Sequence, residues 1–239
     1  MTGCELLRTT HIAIGTVGLI AFWTTAALRK GTRQHRRIGR LYMLAMMGII
    51  LTAIPLAARA FAAGNDVLGV LLSYLIVVTA SAAWIAWRAA HSRLSVQTFV
   101  GGPYRPVAWV NGLSAAAVLT VGVMAQVPLL LGMSSIGFYI GFQMLRFSRS
   151  TTTDRAWWLK HHYTGIVGSG VATHIAFLNL GFTRLVPSRY VALAHYTAWF
   201  GPLVAALAAI WWLDRRYGRS QGAGNSVAAV ENKQHAHCV

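Results

Sequence analysis

The chain alternates between long apolar blocks and short charged or turn-forming stretches. Seven blocks stand out: Thr10–Leu28, Arg40–Ala62, Val67–Ala89, Val107–Ala125, Pro128–Phe147, His162–Phe182 and Arg189–Leu213. Each is about 20 residues long, the length at which a helix crosses the hydrocarbon core of a bilayer. Lipid offers the backbone no hydrogen-bond partner, so a block of this kind is expected to be helical. Gly64-Asn65-Asp66 predicts a tight turn between the second and third blocks. Pro55 falls inside the second block and predicts a kink there. Only Gln126-Val127 separates the fourth block from the fifth, and a fused re-entrant segment at this point would give six spans instead of seven. From Asp214 the chain turns polar and rich in Gly, Ser and Asn. That composition predicts a disordered tail over 214–239 behind a single membrane domain over 1–213.

Composition agrees with this pattern. Hydrophobic residues make up 56% and charged residues 11% of the chain, against about 25% charged in soluble domains. The fold class expected is an all-α integral membrane bundle of about seven transmembrane helices. Glu5 and Arg8 flank the first block and no small-residue cleavage site follows, which predicts a retained helix rather than a removed leader.

The formal net charge of +16 would suggest nucleic acid in a soluble protein. Its distribution argues otherwise. The N-terminus and the loops after blocks two, four and six hold Arg8, Arg59, Arg184 and Arg189, and the other 17 of the 21 Lys and Arg fall in the alternate loops and the tail. That asymmetry places the N-terminus outside and the C-terminus in the cytoplasm, and seven spans satisfy it where six do not. The expected partners are the lipid bilayer and a membrane subunit or second copy, not nucleic acid. Cys4 and Cys238 then face opposite sides and do not pair. Trp109, Trp157, Trp158, Trp211, Trp212 and Tyr42 lie near block boundaries, as an interfacial aromatic belt requires.

The five acidic residues, Glu5, Asp66, Asp154, Asp214 and Glu231, all avoid the middle of the blocks. This weakens a proton-coupled carrier built on a buried carboxylate, and a carboxylate-pair enzyme. The chain has neither GxxxxGK[ST] nor a GxGxxG opening a helix after a strand. Histidine remains. His35, His91, His161 and His162 lie at the cytoplasmic face, while His11, His174 and His195 lie in the outer half or near the middle. Neutral imidazole ligates haem iron or zinc and moves protons. A histidine deep in a block is costly without a partner, and an interhelical hydrogen bond is the plainest one. At about 100° per residue, His161 and His174 point about 140° apart, so the sixth block does not carry two stacked haems on one stripe. One haem held by His174 with His195 or His11 fits the pattern. A metal site on His174, His195 and His11 has three ligands but no acidic residue at their depth to act as a base.

Small residues follow the histidines. Gly165, Ser169 and Thr173 are spaced for close helix packing or for a flat wall against a planar ligand. His11, Gly15, Gly18 and Phe22 share one helical face and admit the same two readings. Tyr74, Asn111, Ser114, Ser135, Tyr139, Gln143 and Asn179 either line a cavity or bond neighbouring helices. His235-Ala236-His237-Cys238 is a weak metal-binding pattern.

Two stretches carry a resemblance. The first is His11-x3-Gly15 with Lys30-Gly31-x3-His35-Arg36-x2-Gly39-Arg40-x-Tyr42, and the second is Trp157-x3-His161-x3-Gly165-x2-Gly168-Ser169 with Thr173 and Phe177. Together they resemble a bacterial family of multi-pass inner-membrane proteins of unknown function. The resemblance covers the first two blocks and the sixth. It implies topology and an inner-membrane location rather than an activity, and it stresses His35 and His161 more than His174.

The leading expectation is a histidine-dependent redox or electron-transfer component that binds haem b or a quinone. His174, His195, His11, His161 and His35 are its candidate residues. A transporter or channel for a small amphipathic or anionic solute is the main rival, and a metal-dependent membrane hydrolase the third.

Overall fold

The structure is a computed structural model that describes residues 3–150, 152, 154 and 156–236; the side chains of residues 180, 182–185 and 218–236 are not described. Helices α1 (Gly3–Ala27), α2 (Arg33–Ala62), α3 (Asp66–His91), α4 (Val96–Val100), α5 (Tyr104–Met124), α6 (Pro128–Ser148), α7 (Trp157–Leu185) and α8 (Val191–Ala236) follow in order, with a 3-10 turn at Ser188–Tyr190. No strand occurs among the described residues. Six helices, α1, α2, α3, α5, α6 and the stretch Ser188–Tyr217, are long and apolar enough to cross a membrane. The protein is thus an all-helical bundle with multiple candidate membrane spans. α8 continues as helix into the polar stretch after Asp214, and His237 and Cys238 lie outside the described residues.

Local chemistry sets the helix ends. Thr32 caps α2 by accepting the His35 N–H at 3.2 Å. Asn65 caps α3 through Leu68 N–H at 3.1 Å, just after Gly64 turns the chain at φ +73°. The doubtful boundary resolves into two separate helices. Gln126 adopts φ +54°, Val127 N–H bonds back to Gly122 O at 2.9 Å, and Pro128 starts α6. Proline suits that first position because it needs no N–H there.

α3 is the central element. It packs against α2, α5 and α7, while α1 pairs with α2, α5 with α6, and α7 with α8. Small residues allow the close crossings. A Cβ on Gly165 of α7 would lie 2.6 Å from Ala82 O and 2.7 Å from Ala86 N of α3. Ser169 and Thr173 of the same stripe meet Tyr42 and Met46 of α2. The stripe is therefore filled by helices, which answers the alternative of an open wall for a planar ligand. The α1 face is partly filled: His11 bonds Thr52, Gly18 packs on Ala45 and Ile49, and Phe22 sits against Tyr42, while a Cβ on Gly15 would meet nothing within 4 Å.

The polar groups within the helices are spent on packing. Tyr74 donates to Met133 O at 2.6 Å and accepts from Gly137 N–H at 2.8 Å, bridging one turn of α6. Asn111 donates to Ser81 Oγ at 2.7 Å and to its own helix at Val107 O. Ser114, Ser135 and Asn179 bond carbonyls three or four residues back, and Gln143 donates to Tyr139.

One end of the bundle gathers the basic loops. There Arg105 of α5 reaches Ser148 of α6, and His162 of α7 meets Ala86 O of α3. At the same end Lys160 and Tyr163 hold Asp214 of α8. Two aromatics expected in the interfacial belt belong instead to the interior: Tyr42 is 2% and Trp157 7% exposed. Tyr42 faces α7, and Trp157 joins Phe99 and Phe147 in a core cluster. Trp109, Trp211 and Trp212 are exposed as a belt requires, the last two under Arg215 and Arg216.

Candidate functional site

The histidines occupy separate levels. At the basic end, His161 donates Nδ1–H to Trp157 O and packs its ring against Phe147 and Phe99, with centroids 4.2 and 5.0 Å away. Its surroundings are those of a core aromatic. Phe99 comes from the short helix α4, whose C-terminal carbonyls are held by Arg88 through Thr98 O and Gly101 O.

His35 and His162 lie at the same end but in another corner. His35 Nδ1 meets Thr25 O at 3.3 Å, and His162 Nδ1 meets Ala86 O at 3.0 Å. Lys30 donates to Thr25 O and Ala26 O, closing the last turn of α1. Lys30, His35 and His162 are within electrostatic reach of one another. Partial loss of water lowers the Lys30 pKa from the ordinary lysine value. The two stretches that carry the family resemblance meet here and at Tyr42–Ser169, where the hydroxyls are 2.8 Å apart. Their shared role in the structure is to join α1 and α2 to α7.

At the other end, His11 and Thr52 are joined at 2.7 Å. The Thr52 hydroxyl also lies 2.7 Å from Gly48 O, to which it donates, so His11 Nδ1–H is the donor to Thr52. His195 is exposed at the start of α8 and contacts only rings, those of Tyr196 and Trp199, among the described interactions.

His174 sits between these levels and differs from all of them. Its Nδ1 lies 2.7 Å from Gly170 O, and its Nε2 lies 3.0 Å from the indole Nε1 of Trp23. A carbonyl only accepts and an indole N–H only donates, so the proton is on Nδ1 and the lone pair on Nε2. Phe22 packs beside Trp23 against the same ring, T-shaped at 5.2 Å between centroids. Gly170 makes room for Phe22, because a Cβ there would lie 2.7 Å from the phenyl ring.

His174 and Trp23 line a cleft of about 350 Å³ between α1, α7 and α8. Leu19, Phe177, Leu178, Gly201, Pro202 and Ala205 complete its walls. The walls are almost wholly apolar, and His174 and Trp23 are the lining residues with polar side-chain atoms.

No family profile, curated protein or solved structure matches this chain.

The histidines proposed as a three-ligand set do not assemble. No group of three His, Cys, Asp or Glu side chains is placed to hold a metal among the described residues. His11 precedes Trp23 by twelve residues on α1, a rise of about 18 Å. His195 precedes Gly201 by six residues on α8, or about 9 Å. Neither lines the cleft. The structure therefore does not pair His174 with His195 or His11 across a haem. Trp23 is the residue that the sequence reading missed. A tryptophan inside a span needs a partner for its N–H, and that need was the available signal.

Proposed function

We propose that the protein is a quinone-binding component of electron transfer in a bacterial inner membrane, and that the α1–α7–α8 cleft is its site. The observation that carries this reading is His174 itself. It is a neutral imidazole of fixed tautomer set in an apolar lateral cleft. Binding sites for small molecules typically combine apolar walls with a few placed polar groups. A quinone carbonyl takes a hydrogen bond, which the Trp23 N–H beside His174 can supply, and the isoprenoid tail suits a cleft that opens between membrane helices. The quinone is favoured over haem b because the cleft offers no second histidine.

In this reading α7 is the seventh span, beside the six helices named above. At 29 residues it is about 43 Å long and exceeds the hydrocarbon core. Seven spans with the N-terminus outside put the basic end of the bundle in the cytoplasm, as the charge asymmetry favours.

Solvent extraction of protein purified in mild detergent, followed by chromatography and an absorption spectrum, tests the proposal. The expected result is a co-purifying isoprenoid quinone that falls to background in His174→Ala. A Soret band without quinone, or quinone retained unchanged by His174→Ala, contradicts it.

A further inference from the structure

We propose that the Trp23–His174 pair selects the reduced, hydroxyl-bearing form of its ligand, a hydroquinone, over the oxidised quinone. This rests on the reading of the cleft as a quinone-type site and names the form it prefers.

The argument starts from the direct bond between the two side chains. Trp23 Nε1–H donates to His174 Nε2 across 3.0 Å. The indole has no acceptor, and His174 Nε2 has no proton to donate because Nδ1–H is committed to Gly170 O. One of the partners is fixed. His174 is held by the Gly170 carbonyl below and by the Phe22 ring beside it. The other partner is able to move. Trp23 is 60% exposed on α1 and contacts Phe22 and His174 by its ring edge. A ligand head that reaches the polar pair must therefore part a donor from an acceptor and satisfy both.

A hydroxyl does this with one oxygen. It accepts from the Trp23 indole and donates to His174 Nε2. A quinone carbonyl or an aryl ether accepts from Trp23 but leaves the His174 lone pair facing a group with no hydrogen. An acceptor stranded in an apolar cleft costs free energy that the hydroxyl avoids. The expected discrimination is about tenfold or more. Leu19, Phe177, Leu178 and Pro202 supply apolar contact for the ring and the first part of the tail.

The test uses full-length protein in nanodiscs under anaerobic conditions. Equilibrium binding is measured for a short-tailed hydroquinone, the matching quinone and the hydroquinone's di-O-methyl ether. The expected order is hydroquinone tightest, with quinone and ether about tenfold weaker or more. His174→Gln is expected to narrow the gap between hydroquinone and quinone, because a side-chain amide both donates and accepts. Equal binding of all three compounds, or tighter binding of the quinone, overturns the selectivity and leaves the quinone-type site standing. Binding of none of the three overturns the site and the selectivity together. A preference that survives unchanged in His174→Gln also overturns the role given to this pair.

Discussion

Gly165→Val is expected to stop the bundle from assembling. A Cβ at this position would lie 2.6 Å from Ala82 O, 2.7 Å from Ala86 N and 2.9 Å from Ala86 Cβ. Two of these atoms are backbone of α3, the central helix, so no side-chain rotation relieves the clash. The cost falls at or above about 3 kcal/mol, the upper end of the range for overpacking. The same crossing orients His162, whose Nδ1 meets Ala86 O. Size-exclusion profiles and thermal midpoints in detergent provide the check. Gly168→Ala is the near control, because a Cβ there meets only Ala82 Cβ at 3.5 Å, an ordinary contact. Gly15→Ala is the distant one, with nothing within 4 Å. A Gly165→Val protein that elutes and melts like the wild type would show that α3 and α7 do not cross here.

Asn111→Asp is expected to be the second most damaging substitution. Asn111 is completely buried and donates both to Ser81 Oγ and to Val107 O. An ionised aspartate can accept from the Ser81 hydroxyl but has no proton for Val107 O, and turns an anionic oxygen toward that carbonyl. A charged side chain at the centre of a membrane helix costs about 2.5–3.5 kcal/mol even on the lowest scales. A protonated aspartate restores only one of the two donations. Asn111→Ala removes the same bonds without adding a charge, and should cost about 1–3 kcal/mol. The expected order of thermal midpoints is wild type, then Asn111→Ala, then Asn111→Asp. A midpoint of Asn111→Ala equal to the wild type would contradict the hydrogen-bond assignment, and equal midpoints for the two variants would contradict the cost given to the charge.

Much of this fold was readable before the structure. A block of about 20 apolar residues leaves helix as the natural outcome in lipid, and each block has its helix, closely for α3, α5 and α6, while α1, α2 and α7 begin earlier and α8 runs on through the polar stretch expected to be disordered. The Gln126-Val127 turn was readable as well, though not decisive, because two residues punctuate a helix pair only when one of them takes an unusual φ. The reading of the small-residue stripe as packing holds because a small residue every fourth position, here Gly165, Ser169 and Thr173, lets a neighbouring helix approach.

The errors share a cause. Tyr42 and Trp157 sit near block ends, and a boundary aromatic looks the same in sequence whether it points to lipid or to the core. Only the neighbours decide, and these are Ser169 for Tyr42 and Phe99 for Trp157. Helical rise separates His161 and His162 from His174 by residue number alone, but His174 does not share a site with His11 or His195, as the sequence reading had grouped them. Their partners were not readable. His174 meets Trp23 across 151 residues of sequence, and nothing in either local pattern encodes that meeting.

Photoaffinity labelling with an azido-substituted quinone analogue tests the central claim most directly, because it locates the ligand without assuming an activity. Labelled protein is digested and the adducts are mapped by mass spectrometry, with and without excess unmodified quinol as competitor. The account predicts competed adducts on the cleft walls, among Leu19 and Trp23 of α1, His174, Phe177 and Leu178 of α7, and Pro202 and Ala205 of α8. Competed labelling confined to the basic end around His35, His161 and His162, with none in the cleft, would contradict it.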